Sequence, residues 1–308
     1  MLLFTRWSGM LRCAAILMLL CGTACATPPT PEPDPALARR LRTELLVRGD
    51  PDSLATAAVF ERLATGQWHD APDLAARATA AAPDRVDLAY LQLLLCYQLP
   101  SCKPEPLAAH LRELDPANGI AWIFALGRAT GANDAPGASA ALAGLAQAQR
   151  VDLYWPALVS HMTAAVTGRA GFDQARAFVA VVGVDAAMVL PPLQLISASC
   201  SETAIANEDV LAQCRRMAAA LAHADTILFE SYGNHLAARL WPAGSTEGIA
   251  LASRRRVLDY QMQLWSVKQK ELNSPQAVRT LARLYGQYST EQATFLALYA
   301  NLGLSPDP

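Results

Sequence analysis

The chain has little of what most enzymes and nucleic-acid-binding proteins display. Aromatic residues make up only 7% and charged residues 17%. Few segments alternate apolar and polar residues with period two, so little in the chain reads as β-strand. A net charge of −2 excludes a basic nucleic-acid-binding protein. No nucleophile elbow, phosphate-binding loop, zinc-protease helix or paired-carboxylate motif occurs. Neither the Cys-x-x-Cys spacing of a redox pair nor a zinc-ligand spacing is present, and no cofactor is implied. These absences point away from catalysis. They do not remove it, because distant residues can assemble a site.

What is present is alanine and leucine. Apolar residues reach 53% of 308 residues, enough for one large or two ordinary domains. Ala and Leu are strong helix formers and poor strand formers, so the fold class is all-α. From Ala71 to Ala129 the chain reads helix, turn, helix, turn, helix. Pro83 and Pro116 each close a unit and lie 33 residues apart. That period is the mark of stacked helical hairpins. The stretch from Asp115 to Trp122, with Trp122 six residues after the proline, resembles the join between two tetratricopeptide-like repeats. Ala71 and Ala78 fall at the small positions of the preceding second helix. The resemblance implies a right-handed α-solenoid over residues 36–190, whose concave face binds protein or peptide. Pro191-Pro192 then divides the array from a C-terminal helical region over 191–308.

Within the array, Ser53 is placed to cap a second helix and Pro72 to open a third. A small-residue helix spans 135–149, and another starts near Asp152 with Pro156 in its first turn. The β-branched run Phe178 to Val182 sits in a helical context and reads as helix. Later, Asn207 and Ser245 or Thr246 are placed to cap helices, the second of them the longest in the chain, reaching Leu272.

The N-terminus reads as an export signal over residues 1–24. Arg6 and Arg12 precede an apolar run from Cys13 to Cys21, about half the ~20 residues a membrane-spanning helix needs. Two processing sites compete. Ala24-Cys25-Ala26 fits small-x-small cleavage after Ala26. Gly22-Thr23-Ala24-Cys25 resembles the lipobox of bacterial lipoproteins, which implies lipid attachment at Cys25. On that resemblance Ala26 implies sorting to the outer membrane and a periplasmic folded domain. Residues 25–35 carry five prolines between Pro28 and Pro35 and form an extended spacer.

Both processing routes leave Cys96, Cys102, Cys200 and Cys214, an even number suited to an oxidising compartment. Cys96 with Cys102 would brace a helix-helix turn, and Cys200 with Cys214 would tie a loop to the following helix. Four buried free thiols are the alternative.

Candidate functional residues are sparse. His223, Asp225, Glu230 and His235 form the densest group of potential ligands. Only His223 and Asp225, at one turn, should be near each other; Glu230 and His235 face different sides of a helix. Trp68-His69-Asp70 is a second small cluster in a loop. Glu230-Ser231 is similar to the start of the glutamate motif of lytic transglycosylases, without the glycine-rich sequence that follows in that family. An envelope enzyme acting on peptidoglycan or glycan is therefore the alternative reading. Trp122 and Phe124 read as core. From Ala250 to Tyr285 seven Lys/Arg face two acids, a basic segment on an acidic chain. Cations with aromatics suit anionic or peptide ligands, so Trp155, Arg254, Arg255, Tyr260 and Trp265 are the candidate partner-binding residues. The function expected is a cell-envelope binding scaffold without catalytic activity, tethered to membrane by lipid. Its oligomeric state is not written in the sequence.

Overall fold

A computed structural model describes residues 35–185, 188 and 190–308. The signal, Cys25 and nearly all of the spacer lie outside the described residues. Among the described residues there are sixteen α-helices, one 3-10 turn and no strand. The all-α class is thus established. Among the described residues, no helix is long and apolar enough to cross a membrane.

The helices begin and end where local chemistry dictates. After α1 (Pro35–Arg48), α2 (Pro51–Thr65) starts on Asp50, whose carboxylate accepts the Ser53 amide at 3.0 Å. Asp50, not Ser53, is therefore the cap; Ser53 lies inside the first turn and donates to it. Gly66, with φ 81, ends α2 in the left-handed conformation that glycine adopts at least cost. From α2 itself, Glu61 accepts the Asp70 amide at 2.7 Å and so caps α3 (Ala71–Ala81) from the side.

Three consecutive hairpins follow one plan. They are α2–α3, α4 (Val86–Tyr97) with α5 (Pro104–Leu114), and α6 (Ile120–Gly131) with α7 (Ala135–Leu145). In each, the second helix carries a proline in its first turn: Pro72, Pro104 and Pro136. The missing N–H of proline costs nothing there. The exits match too. Ala82 (φ −146, ψ 71) and Asp115 (φ −141, ψ 79) end α3 and α5 with nearly the same backbone turn, each just before a proline. The 33-residue period is thus repeated in backbone geometry. Leu, Ala and aromatic side chains of these helices, among them Phe60, Leu91, Ile123 and Phe124, form a continuous core. Four residues short of the anticipated end, α7 stops at Leu145 and yields to a loop.

Helices α8 (Trp155–Val166) and α9 (Gln174–Asp185) pack on each other and also reach back to α2, with α8 touching α1 and α4 as well. These contacts go beyond the nearest-neighbour pattern of a purely linear array. A charged cluster marks the place. Arg85 at the start of α4 donates to Asp87 at 2.7 Å and to Asp52 of α2 at 3.1 Å. His161 of α8 sits 3.2 Å from the same Asp87. Burial alone would raise the Asp87 pKa, but Arg85 and His161 hold it well below the usual carboxylate range.

The rest of the chain continues in helical pairs. After the short α10 (Gln194–Ser199), α11 (Glu208–Ala222) packs tightly on α12 (Ile227–Leu240). Asn207 and Thr226 cap them, accepting from Val210 and Phe229 respectively. Gly233 permits that closeness: a Cβ there would lie 2.5 Å from the Ala222 nitrogen. The longest helix, α13 (Thr246–Val267), is capped by Ser245 and breaks at Lys268 before the short α14 (Gln269–Leu272). α15 (Pro275–Tyr285) and α16 (Glu291–Asn301) close the chain, with α15 lying against both α8 and α9.

Both expected disulfides form. Cys96–Cys102 braces the α4–α5 turn, and Cys200–Cys214 ties the end of α10 to α11.

Candidate functional site

Two features gather polar chemistry: a buried junction of helix starts and an open groove beside it. The junction begins at Tyr154, whose φ of 55 is unusual for a non-glycine residue. The amides on either side of it hold it there. Leu153 N–H donates to Asp225 Oδ1 at 2.8 Å and Trp155 N–H to Oδ2 at 2.9 Å. The Asp225 carboxylate therefore sits at the N-terminus of α8, where free amides and the helix dipole favour an anion. Asp225 itself precedes α12. Its carbonyl accepts the Glu291 amide at 2.7 Å, and Glu291 Oε2 accepts the Ile227 amide at 2.8 Å. The starts of α8, α12 and α16 thus meet on two carboxylates.

The electrostatics of the junction oppose each other. Asp225 is 3% exposed. Its burial, with Asp152 close by, pushes its carboxyl up to about 8, against the two amides that pull it down. Burial likewise pushes Glu291 up to about 6. Around them the loop after α7 is stitched to the α5–α6 turn. Asp115 accepts from Arg150 at 2.7 Å and from the Tyr154 hydroxyl at 2.8 Å, and Arg150 also pairs with Asp152. The Asn118 amide bonds Asp152 on both its donor and acceptor sides. Carboxyls that titrate near neutrality are the raw material of acid catalysis. Here every oxygen of Asp225 and Glu291 already accepts a hydrogen bond from a backbone amide or from Tyr285, and the pair acts as helix caps.

The groove is lined by the same loop, at residues 146–149. One cavity of about 540 Å³ runs between the end of α7 and α11, lined by Gln147, Gln149, Arg216, Ala219 and His223 among others. A second, of about 230 Å³, has Gln147 as a wall in common with the first and is lined also by Arg112 and Trp122. The Arg112 guanidinium lies 4.3 Å from the centre of the Trp122 ring. Gly144 makes room for that ring, since a Cβ there would meet it at 2.4 Å. No Asp or Glu lines either cavity.

The sequence candidates are distributed as follows. His223 faces the groove, whereas Asp225, two residues on, points into the junction. Glu230 is buried and receives Arg254 at 2.7 Å; burial raises its pKa. His235 is pushed down by burial and by Arg255. Trp155 is half-buried and donates from its indole to Tyr285. Tyr154 precedes α8 rather than lying on it, so it and Trp155 both turn inward. Arg254, Arg255, Tyr260 and Trp265 share α13 but not a face. Trp265 is buried edge-on against Phe295, Arg254 is paired with Glu230, and Arg255 is exposed beside Asp259. Trp68 packs beside the core under Arg62. Among the described residues, no group of three His, Cys, Asp or Glu is arranged to hold a metal ion.

Sequence reasoning missed Arg112, Gln147 and Arg216, and took Trp122 for core. Arg112 and Arg216 come from separate helices and Gln147 from the loop after α7, so they share no spacing and no local signal marks them. Comparison with family models, with curated proteins and with solved structures returned no match.

Proposed function

We propose that this chain is an exported helical-repeat scaffold of the cell envelope that binds a protein or peptide partner and performs no catalysis of its own. One observation carries the reading. The charged groups of the interior are committed to helix caps and ion pairs, while the groove presents cations, amides and an aromatic edge with no Asp or Glu among the described residues lining it. The repeated hairpin exits at Ala82 and Asp115 support the finer description of a right-handed, tetratricopeptide-like solenoid. Two disulfides favour an oxidising compartment. The export signal, lipidation of Cys25 and the proline spacer would tether the folded part to the outer membrane.

The test is occlusion. Ala219 is an exposed residue of the groove, and Ala219→Trp fills the space without touching the core. A partner that co-purifies from cells with the full chain should be lost from Ala219→Trp and retained by Val47→Trp, a change at a residue 85% exposed outside the groove. Equal recovery from both variants would sink the assignment of the groove.

A further inference from the structure

We propose that the groove takes an extended acidic peptide, with its carboxylates on Arg112 and Arg216. This rests on the reading of the chain as a binding scaffold and adds the chemistry of the partner.

The argument starts from charge. Arg85, Arg150 and Arg254 each have an Asp or Glu of this chain within ion-pair distance. Neither Arg112 nor Arg216 has one among the described residues. Both line the groove, one in each of the two cavities that share Gln147. Apart from His223, the titratable side chains that line the two cavities are these two arginines, and Glu113, next to Arg112 in sequence, acts on Arg112 from outside the lining without reaching ion-pair distance. The ligand that completes these guanidiniums is an anion, and a planar carboxylate matches their fork geometry.

Shape argues for a peptide over a compact ion. The two cavities share Gln147 as a wall and hold one arginine each, so a ligand that engages both arginines has to span two cavities, as an extended chain can. Exposed Gln147 and Gln149 each carry donor and acceptor groups that suit a peptide backbone. Ala219 leaves room for that backbone to approach. Arg112 is also preorganised: stacking on Trp122 fixes its guanidinium, so less side-chain freedom is lost on binding. Burial weakens the charged form of Arg112, which an incoming carboxylate would restore.

A phage-displayed library of random eight-residue peptides, panned on the immobilised full chain, tests this. Peptides with two or more Asp or Glu should be enriched. A synthetic enriched peptide should bind about tenfold more weakly to Arg112→Gln and to Arg216→Gln, about the contribution of one charge-assisted contact. Arg112→Lys should retain more affinity than Arg112→Gln, and circular dichroism would confirm that each variant is folded. Arg255→Gln with Arg256→Gln, on exposed α13, should change nothing. Enrichment of neutral peptides that Ala219→Trp excludes would overturn the acidic ligand and leave the scaffold reading standing. Loss of binding in the α13 variant alone would move the site and overturn the proposal. No enrichment, or binding of heparin without any peptide, would also overturn it.

Discussion

Replacing Asp225 by alanine is the most informative single change. It removes both acceptors of the Leu153 and Trp155 amides at the start of α8. Each buried donor left without a partner costs about 1–3 kcal/mol, so the pair costs ~2–6. Part of this is returned, because a carboxyl raised to about 8 is itself poorly accommodated. Tyr154 also loses what holds it at φ 55. A net destabilisation of about 3 kcal/mol is expected, read as a lower urea midpoint by circular dichroism. The pH dependence is more specific. Asp225 has a folded pKa above its ordinary value of 3.8. Between the two values the folded state therefore binds more protons than the unfolded state. The stabilisation is fully present below about 4 and is lost as pH rises through about 8. Glu291, raised to about 6 from 4.5, acts in the same direction over a narrower window. Wild type should lose stability between pH 5 and 8, and Asp225→Asn should show a distinctly shallower decline. Parallel pH profiles for the two proteins would refute the reasoning. So would an alanine variant within 0.5 kcal/mol of wild type, the range of ordinary surface changes.

Three further outcomes follow from contacts elsewhere. Gly233→Ala should destabilise by ~1–3 kcal/mol, although Gly to Ala in a helix normally stabilises, because the new Cβ meets the α11 backbone at 2.5 Å; thermal melts decide the sign. Arg254→Met should cost roughly 3–5 kcal/mol by leaving buried Glu230 without its cation, and Glu230→Gln in the same chain should recover part of that loss in urea titrations. Changing Cys200 and Cys214 together to serine should cost about 3 kcal/mol, and the Cys96–Cys102 pair less, because its loop is shorter; denaturation of the two double variants compares them.

The parts of the fold that were legible in sequence are those written by local chemistry. Prolines and capping residues mark helix starts whatever surrounds them, so Asn207, Ser245 and the proline period could be read directly. Cys96 and Cys102 pair across a turn only six residues long. What stayed hidden depends on distant partners. The left-handed turn at Tyr154 is imposed by Asp225, some seventy residues later, and no local signal encodes it. Without that turn, α8 was expected to begin near Asp152 and to carry Tyr154. The α13 residues form a plausible cation–aromatic set on paper, but 100° per residue scatters them around the helix. Arg112, Gln147 and Arg216 become neighbours of one groove only after three elements pack.

The claim that the groove is the partner-binding face is tested most directly by site-specific photo-crosslinking in cells. A benzophenone side chain placed at Gln147 sits where the two cavities meet, and one placed at Val47 serves as the exposed reference. The account predicts a discrete adduct from position 147, suppressed by Arg112→Gln with Arg216→Gln, and none from position 47. Adducts from position 47 alone, or none from 147 while the partner still co-purifies, would contradict it.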